Sequence, residues 1–216
     1  LEFPHHTNEI AQSEAKTGKT FANYWMHNGF VNIDNVKMSK SLGNFITVHD
    51  ALKTIDGQVL RFFFATQHYR KPINFTEKAV RDAETNLKYL KNTYEQPFTG
   101  EVDPADLQGF VDKFIVAMDE DINAANGITV VFELAKWINS GHYNQDVKDA
   151  LTKMLEVFGV VFVEEVLDAD IEALIAERQE ARAKKDFARA DAIRDELAAQ
   201  GIKLLDTKEG VRWTRD

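Results

Sequence analysis

The sequence predicts a mainly α-helical protein, and two patterns lead to that prediction. Between residues 76 and 158, apolar side chains recur at spacings of three and four in four successive segments, which is the period of amphipathic helices. From residue 168 two more helical segments follow, "DADIEALIAERQEARAKK" and "DFARADAIRDELAAQG". The β-prone runs "IKLLDT" and "VRWTR", around a glycine-containing turn, predict one terminal hairpin.

The first part of the chain, to about Tyr69, mixes short elements with loops. "HHTNEIAQSEAKTG" predicts a helix that ends at Gly18, and "FVNIDNV" predicts a short extended piece. Thr47, followed three residues later by Asp50, has the form of a helix N-cap, so we expect a helix over residues 48–55. "QVLRFFFATQ" is too short to separate buried helix from buried strand, and its helical neighbours favour a helix.

The four amphipathic segments predict an antiparallel bundle over residues 73–166. Thr76 is the N-cap candidate of the first helix, and the third helix is expected to run from about Asn126 to Asn139. The apolar faces comprise Val80, Ala83, Leu87, Leu90 and Tyr94; Leu107, Phe110, Val111, Phe114, Ile115 and Met118; Ile128, Val131, Phe132, Ala135 and Ile138; and Val147, Leu151, Met154, Leu155 and Phe158.

The tail, residues 167–216, is predicted to form a small α+β module. Its second helix is expected to be capped by Asp186 and stopped at Gly201. The sequence thus predicts three regions: residues 1–72, the bundle of residues 73–166 and the module of residues 167–216. Residues 1–72 carry short elements and the basic loop that is considered below as a candidate site.

Charge is distributed unevenly along the chain, whose formal net charge is −9. Residues 1–95 carry 12 Lys and Arg against 10 Asp and Glu, whereas residues 96–165 carry 4 against 13. The tail turns locally basic from Arg178 onward, with further basic residues at Lys184, Lys185, Arg189, Arg194, Arg212 and Arg215. Nucleic-acid binding depends on such local patches, so the acidic total does not exclude it.

Composition excludes several other classes of protein. The chain contains no cysteine, so it forms no disulfide and supplies no thiolate to a metal, which fits a reducing compartment. Apolar runs stay short of the ~18 residues of a membrane span. The start, "LEFPHHTNEI", lacks both an initiator Met and the pattern of a signal peptide. We therefore expect that the chain begins partway through a longer, cytoplasmic protein.

The stretch "NVKMSKSLGN" places Lys37 and Lys40 on a short, hydroxyl-rich loop that ends at Gly43. Lysine is a compact point charge on a flexible stem, and two lysines on a mobile loop can close over a triphosphate and stabilise charge that develops on leaving pyrophosphate. Judged by the two lysines alone, an exposed basic loop without a function is the more common case.

The string "KMSKSLGN" closely resembles the signature loop of class I aminoacyl-tRNA synthetases. The resemblance implies that residues 1–72 are the end of a Rossmann-type catalytic domain, with a signature loop and a stem-contact region. It also implies that Lys37, Met38, Ser39, Lys40 and Ser41 bind the phosphates of ATP, with Mg as its counterion. Lys40 would be the main catalytic contributor and Lys37 would support it.

His5 and Glu9 are four residues apart, so on a helix they share one face. Both residue types are competent zinc ligands, but a pair at this spacing is more often an ordinary surface pair, because a structural zinc needs four ligands. His6 faces elsewhere and is the weaker candidate. From the residues alone, either interpretation stays open.

The segment "FPHHTNEIAQSEA" resembles the part of cysteinyl-tRNA synthetases that supplies a His and a Glu to the active-site zinc. The resemblance implies that His5 and Glu9 hold one zinc ion together with two cysteines from earlier in the protein, and that this zinc binds the substrate thiol. A soft thiolate on zinc distinguishes cysteine from serine. The His-x-Gly-His motif of the class is absent from these residues, so we expect it upstream of Leu1.

The tail "EARAKKDFARADAIRDELAAQGIKLLDTKEGVRWTR" is similar to the anticodon-binding module of bacterial cysteinyl-tRNA synthetases. Arg182 is suited to a bidentate contact with a guanine edge, Phe187 to stacking under an unpaired base, and Asp191 and Asp206 to accepting hydrogen bonds from base amino groups. Each also has an ordinary structural alternative: Phe187 in the core, Arg182 paired with a helix neighbour, Asp206 shaping the hairpin.

The resemblance covers all 216 residues and implies an ATP-dependent enzyme that ligates L-cysteine to its tRNA through a cysteinyl-adenylate. Expected partners are the tRNA specific for cysteine, L-cysteine and ATP, and we expect a monomer. Alone, these residues are expected to be inactive and to retain zinc weakly. Two alternatives remain: a paralogous ligase that joins cysteine to an amino-sugar, against which the "DTKEGVRW" tail argues, and a tRNA-binding module without catalysis, against which the intact lysine loop argues.

Overall fold

The computed structural model describes residues 2–163, 169–207 and 210–215. The chain divides into two compact units, residues 1–162 and residues 163–216. The mainly helical class predicted from the sequence is confirmed. Among the described residues, no helix is both long and apolar enough to span a bilayer.

The first unit combines seven helices with three short strands over the part of it that the structure describes. An irregular helical turn, Glu2–His6, leads into α1, and one tighter turn, Lys40–Leu42, lies between β2 and α2. In chain order the elements are α1 (Thr7–Thr17), β1 (Val31–Ile33), β2 (Val36–Lys37), α2 (Val48–Ala51), α3 (Gly57–Ala65), β3 (Ile73–Phe75), α4 (Glu77–Tyr94), α5 (Pro104–Asp119), α6 (Ala124–Asn139) and α7 (Gln145–Val157).

The three strands form a small sheet in the order β2-β1-β3. β1 and β2 make an antiparallel hairpin whose two-residue turn, Asp34 and Asn35, has φ values of 48° and 65°. Such a turn needs positive φ at both central residues, which Asp and Asn tolerate better than most residues. β3 runs parallel to β1. The extended piece predicted at residues 30–36 is therefore a strand pair, and β3 is a third strand that the sequence analysis did not predict.

Predicted helix bounds differ from the structure at α2 and at α6. The Thr47 side chain accepts a hydrogen bond from the Asp50 N–H, as predicted, but α2 ends at Ala51 and not at Ile55. Residues 52–55 tighten into turns because the chain must become extended at Asp56, whose carboxylate caps α3. α6 begins two residues earlier than predicted, at Ala124, because the Asn123 side chain accepts the N–H of Asn126.

The core of the first unit centres on α6, which packs against α3, α4, α5 and α7. Val131 and Leu134 are fully buried on α6, and Leu90 and Leu151 are fully buried on the helices beside it. Burial of the apolar face stabilises each of these helices, because short helices are marginal in water by themselves. The spacing of three and four that predicted the helices thus also selects most of their buried faces; Ile115 on α5 is the exception, because it is 49% exposed.

A polar clamp joins the turn after α3 to the turn between α5 and α6. Asp121 accepts hydrogen bonds from the Tyr69 hydroxyl at 2.6 Å and from the Arg70 Nε and Nη2 at 2.6 and 3.0 Å. His68 Nε2 lies 3.7 Å from the same carboxylate. These contacts lower the pKa of Asp121 to about 2, and the hydrogen bonds from Arg70 and then Tyr69 are the largest causes.

The Asp121 clamp predicts an acid-dependent part of the stability. The pKa of Asp121 is depressed in the folded chain, so its contribution is fully present above its ordinary value of 3.8 and is lost as the pH falls toward 2. Asp121→Asn is expected to lower the urea midpoint at pH 7, and the difference from the unaltered protein should vanish between pH 4 and pH 2. Asp119→Asn is the matched control, because the described structure gives Asp119 no ion pair. A pH-independent difference would contradict this account.

The second unit contains α8 (Ala169–Ala183), α9 (Phe187–Ala199), β4 (Ile202–Thr207) and β5 (Gly210–Arg215). β4 and β5 pair antiparallel, so the two predicted helices and the predicted hairpin are present. The Asp186 side chain caps α9 by accepting the Arg189 N–H at 3.0 Å, as predicted. The unit has its own apolar core, which comprises Ile171, Ile193, Leu197 and Ile202.

Candidate active-site loop and nucleic-acid interface

The lysine loop, residues 37–44, begins on the second strand of the β1–β2 hairpin. The segment that enters this hairpin is fixed to the turn before β3: the Gly29 N–H donates to the Tyr69 carbonyl at 2.7 Å, and the Ile73 N–H donates to the Phe30 carbonyl at 2.8 Å. A side chain at Gly29 would put its Cβ 2.2 Å from the Lys71 carbonyl oxygen, so this close approach requires glycine. The base of the loop is therefore held by backbone contacts.

Asn44 closes the lysine loop with its side chain. Its Oδ1 accepts the Ser39 N–H at 2.9 Å, and its Nδ2 donates to the Lys37 carbonyl at 3.2 Å. Ser39 and Ser41 contact each other through their hydroxyls at 2.7 Å. Gly43, at φ 68°, ends the single turn that carries Lys40. The sequence therefore builds a closed loop with its two lysines at defined positions.

Both lysine ammonium groups rest on aromatic rings. Lys37 Nζ lies 4.9 Å from the ring centroid of Phe30, and Lys40 Nζ lies 5.5 Å from that of Phe45. Both lysines are exposed, and neither pairs with a carboxylate in the part of the chain that the structure describes. A ring face attracts a cation without neutralising it, so both charges stay available to an anion. Sequence reasoning missed Phe30 and Phe45, because each pairing depends on how the backbone turns between the ring and the lysine.

The predicted metal donors lie around the start of α1. His5 is in the irregular turn, Glu9 is in the first turn of α1, and both side chains are exposed. Neither has a hydrogen-bond or ion-pair partner among the described residues, so both remain available as ligands. Within those residues, no group of three His, Cys, Asp or Glu side chains forms that could hold a metal ion. The chemistry of this donor pair fits zinc, with two of the ligands that a zinc site needs.

His6 contacts a different part of the chain. Its Nδ1 lies 2.7 Å from His27 Nε2, and the two imidazoles stack with centroids 4.9 Å apart. The Trp25 ring lies 5.4 Å from His6 and 6.3 Å from His27. Sequence reasoning did not find this cluster, because residues 6 and 27 meet only through the fold of the loop between them.

In the second unit, three of the predicted anticodon-binding residues line one cavity of about 180 Å³: Arg182, Phe187 and Asp191. Phe187 is 61% exposed, so its ring is not part of the core. The lining also includes Ala190 and two members of the basic tail, Arg178 and Arg194, none of which the sequence analysis proposed as a base contact. Asp206 lies on β4 in register with Val211, and its side chain is outside the described part of the structure.

The second unit contains two ion pairs between α-helical residues near its basic side chains, and the first of them joins two residues that line the cavity. Arg194 Nη1 lies 3.2 Å from the Asp191 carboxylate, so Asp191 already has a cationic partner. Arg189 Nε donates to Glu177 at 2.8 Å and joins α9 to α8, and this contact lowers the pKa of Glu177. A small cavity with guanidinium groups and one exposed ring is chemically suited to an unstacked base.

Three family models match successive parts of the chain. Residues 1–85 match the model of the class I (C) tRNA synthetase catalytic domain, which includes the lysine loop and the His5–Glu9 pair. Residues 113–164 match the DALR domain. Residues 164–213 match the cysteinyl-tRNA ligase anticodon binding domain, which includes the cavity of the second unit.

Curated relatives match the chain over its whole length. A cysteine–tRNA ligase of Streptococcus pneumoniae serotype 4 is 85% identical over 216 residues, and relatives of the same name from Streptococcus mutans serotype c and Streptococcus agalactiae serotype III are 82% and 75% identical. Each match covers 100% of this chain and 48% of the relative, so the chain spans about half the length of these proteins. By sequence the chain is therefore similar, over its whole length, to the C-terminal portion of cysteine–tRNA ligases.

Proposed function

We propose that the whole protein ligates L-cysteine to its tRNA in protein synthesis, and that this chain supplies the phosphate-binding loop, part of a zinc site and the tRNA-binding regions. The observation that carries the proposal is the closed lysine loop, whose two cations have no carboxylate partner in the described structure, within a stretch that matches a class I catalytic domain. The similarity to cysteine–tRNA ligases over all 216 residues supports the choice of amino acid.

The proposed reaction has two steps. A carboxylate oxygen of cysteine attacks the α-phosphorus of ATP, which enters with Mg, and the bond between the α-phosphorus and the bridging oxygen breaks to release pyrophosphate. A terminal ribose hydroxyl of the tRNA then attacks the acyl carbon and releases AMP. Lys40, with support from Lys37, holds the β- and γ-phosphates and stabilises the charge that grows on pyrophosphate. Met38, Ser39 and Ser41 complete the same phosphate-binding loop.

His5 and Glu9 are the residues of this chain that would hold the zinc ion. The bound metal would supply a soft Lewis acid for the thiol of cysteine, which serine cannot match. This chain would supply two metal ligands, His5 from the irregular turn and Glu9 from the first turn of α1. The remaining ligands are proposed to come from outside these 216 residues.

In the proposed architecture, each of the three regions of the chain has its own role. Residues 1–72 would be the end of a Rossmann-type catalytic domain with a stem-contact region, residues 73–166 an antiparallel tRNA-binding bundle, and residues 167–216 an anticodon-binding module. The match of residues 164–213 to an anticodon binding domain supports the last assignment and argues against the amino-sugar ligase, which has no anticodon to read. We further propose that the protein is cytoplasmic and monomeric.

The direct experiment is ATP–pyrophosphate exchange by the full-length protein, with each amino acid tested separately. Exchange is expected with cysteine, and serine should support it at least about 10⁴-fold less well, because a site built around a specific ligand contact rejects the analogue strongly. Exchange with another amino acid in preference to cysteine, or no exchange at all, would contradict the proposal.

The cavity of the second unit predicts a defect confined to the tRNA. Arg182→Ala in the full-length protein is expected to raise the KM for tRNA in aminoacylation by about 10- to 100-fold, the cost of one lost bidentate base contact. ATP–pyrophosphate exchange should stay unchanged, because this step does not use the tRNA. Lys184→Ala is the matched control, because it also removes one cation from the chain next to Arg182. Lys184 does not line the cavity, and its ammonium pairs with Glu180 at 3.3 Å. Equal defects in the two variants would refute a specific contact.

A further inference from the structure

The helix that carries the metal donors has little support from the core. α1 has no buried residue, so apolar packing does not fix its position. In the described part of the chain, two hydrogen bonds connect residues 2–17 to the chain beyond Lys19: the contact of His6 with His27, and the Phe21 N–H that donates to Glu14 at 3.1 Å. The second of these lies far along α1, on its last turns. The His6–His27 contact is therefore the one at the donor end.

The His27 end of that contact is held by the body of the unit. Two residues after His27, the Gly29 N–H donates a hydrogen bond to the Tyr69 carbonyl at 2.7 Å. The Phe30 carbonyl accepts a hydrogen bond from the Ile73 N–H, and the Phe30 ring contacts the Lys37 ammonium. His27 itself is half-buried, and its ring stacks on His6 at an interplanar angle of 22°. The imidazole thus reaches from an anchored segment of chain to the turn that carries His5.

We infer that His27 is the positioning residue of the metal donors: by holding His6, it places His5 and Glu9 in a fixed relation to the segment that enters the lysine loop. This inference rests on the proposed function, since it assigns a role within the proposed zinc site. Residues that orient metal ligands typically change metal affinity 10- to 100-fold when they are removed. The mechanism is preorganisation, because donors that are already ordered lose less entropy when the metal binds.

The test compares zinc affinity across variants of the full-length protein, measured by competition with a chromogenic chelator. His27→Ala is expected to weaken zinc binding about tenfold or more. His27→Gln should restore most of the affinity, because its amide nitrogen can take the place of Nε2 in the contact with His6. His49→Ala is the matched control, since His49 is exposed on α2 and has no side-chain partner among the described residues.

Two further readouts separate positioning from a general loss of structure. In zinc-free protein, amide hydrogen exchange over residues 10–17 should be faster in His27→Ala than in the unaltered chain, while exchange in α6 stays the same. In the exchange assay the KM for cysteine should rise and the KM for ATP should not. Zinc affinity within twofold of the unaltered protein, with unchanged exchange over α1, would overturn the inference. Absence of zinc from the unaltered protein would contradict the proposed function itself, and this assignment with it.

Discussion

Lys40→Ala in the full-length protein is expected to lower kcat for cysteine-dependent ATP–pyrophosphate exchange by about 10²- to 10³-fold, comparable to the loss of one strong stabilising group for transition-state charge. The ammonium rests on the exposed ring of Phe45 and has no carboxylate partner in the described structure, so its charge is available to phosphate. The KM for ATP should change far less than kcat, because the charge on pyrophosphate develops only as the bond breaks.

Lys37→Ala should cause a smaller loss, about tenfold, because we assign Lys37 a supporting role. The matched control is Lys53→Ala: this exposed lysine follows α2 and pairs with Asp50 at 2.6 Å, so its charge is already engaged. Its exchange rate should stay within about twofold of the unaltered protein. A loss in Lys53→Ala as large as that in Lys40→Ala would show a nonspecific effect of surface charge and would refute the assignment.

His5→Ala and Glu9→Gln are each expected to remove most of the zinc from the full-length protein. A zinc site with three or four protein ligands does not hold the metal tightly when one ligand is lost. Zinc content, measured by elemental analysis after dialysis, should fall from about one ion per chain to less than about a tenth. Without the metal, cysteine loses its thiolate contact, so preference for cysteine over serine should fall with it.

The control for the donor prediction is Glu2→Gln. Glu2 lies in the same irregular turn as His5, is exposed, and has no side-chain partner in the described structure. Glu2→Gln removes one negative charge, as Glu9→Gln does, but it should leave the zinc content unchanged. Full zinc content in both His5→Ala and Glu9→Gln would show that these two residues are not the ligands.

Local sequence rules predicted the helices well because short-range physics determines them. The capping side chains of Thr47, Thr76 and Asp186 act within three residues of their own position, and each makes the predicted contact. The apolar spacing that predicted α4 to α7 also places Leu90, Val131 and Leu151 in the core. Such features need no knowledge of the rest of the fold.

The strand β3 and the aromatic partners of the lysines could not be predicted in the same way. Ile73–Phe75 is three residues long and pairs with β1, which lies about forty residues earlier, so no local period indicates it. Phe30 and Phe45 flank the lysine loop in sequence, but the β1–β2 hairpin brings Phe30 to Lys37, and the turn Lys40–Leu42 brings Phe45 to Lys40. Such contacts depend on how the backbone folds between the two residues, and they require the structure.

The candidate site residues were found mainly through motifs. "KMSKSLGN" and the His5–Glu9 spacing identified the loop and the donor pair, and their chemical roles stay predictions. Arg182, Phe187 and Asp191 were chosen one by one, and the structure places them around one cavity. Arg194 was not chosen, because nothing in its local sequence distinguishes it from its basic neighbours until its contact with Asp191 is seen.

The measurement that tests the central claim most directly is the fate of labelled cysteine in a reaction with ATP, the full-length protein and two acceptors, the tRNA specific for cysteine and a glucosamine-type amino-sugar. The account predicts that the label becomes attached to the 3′ end of the tRNA through a base-labile ester, and that no cysteine is joined to the amino-sugar. Label that appears on the amino-sugar, or no label on the tRNA, would contradict it.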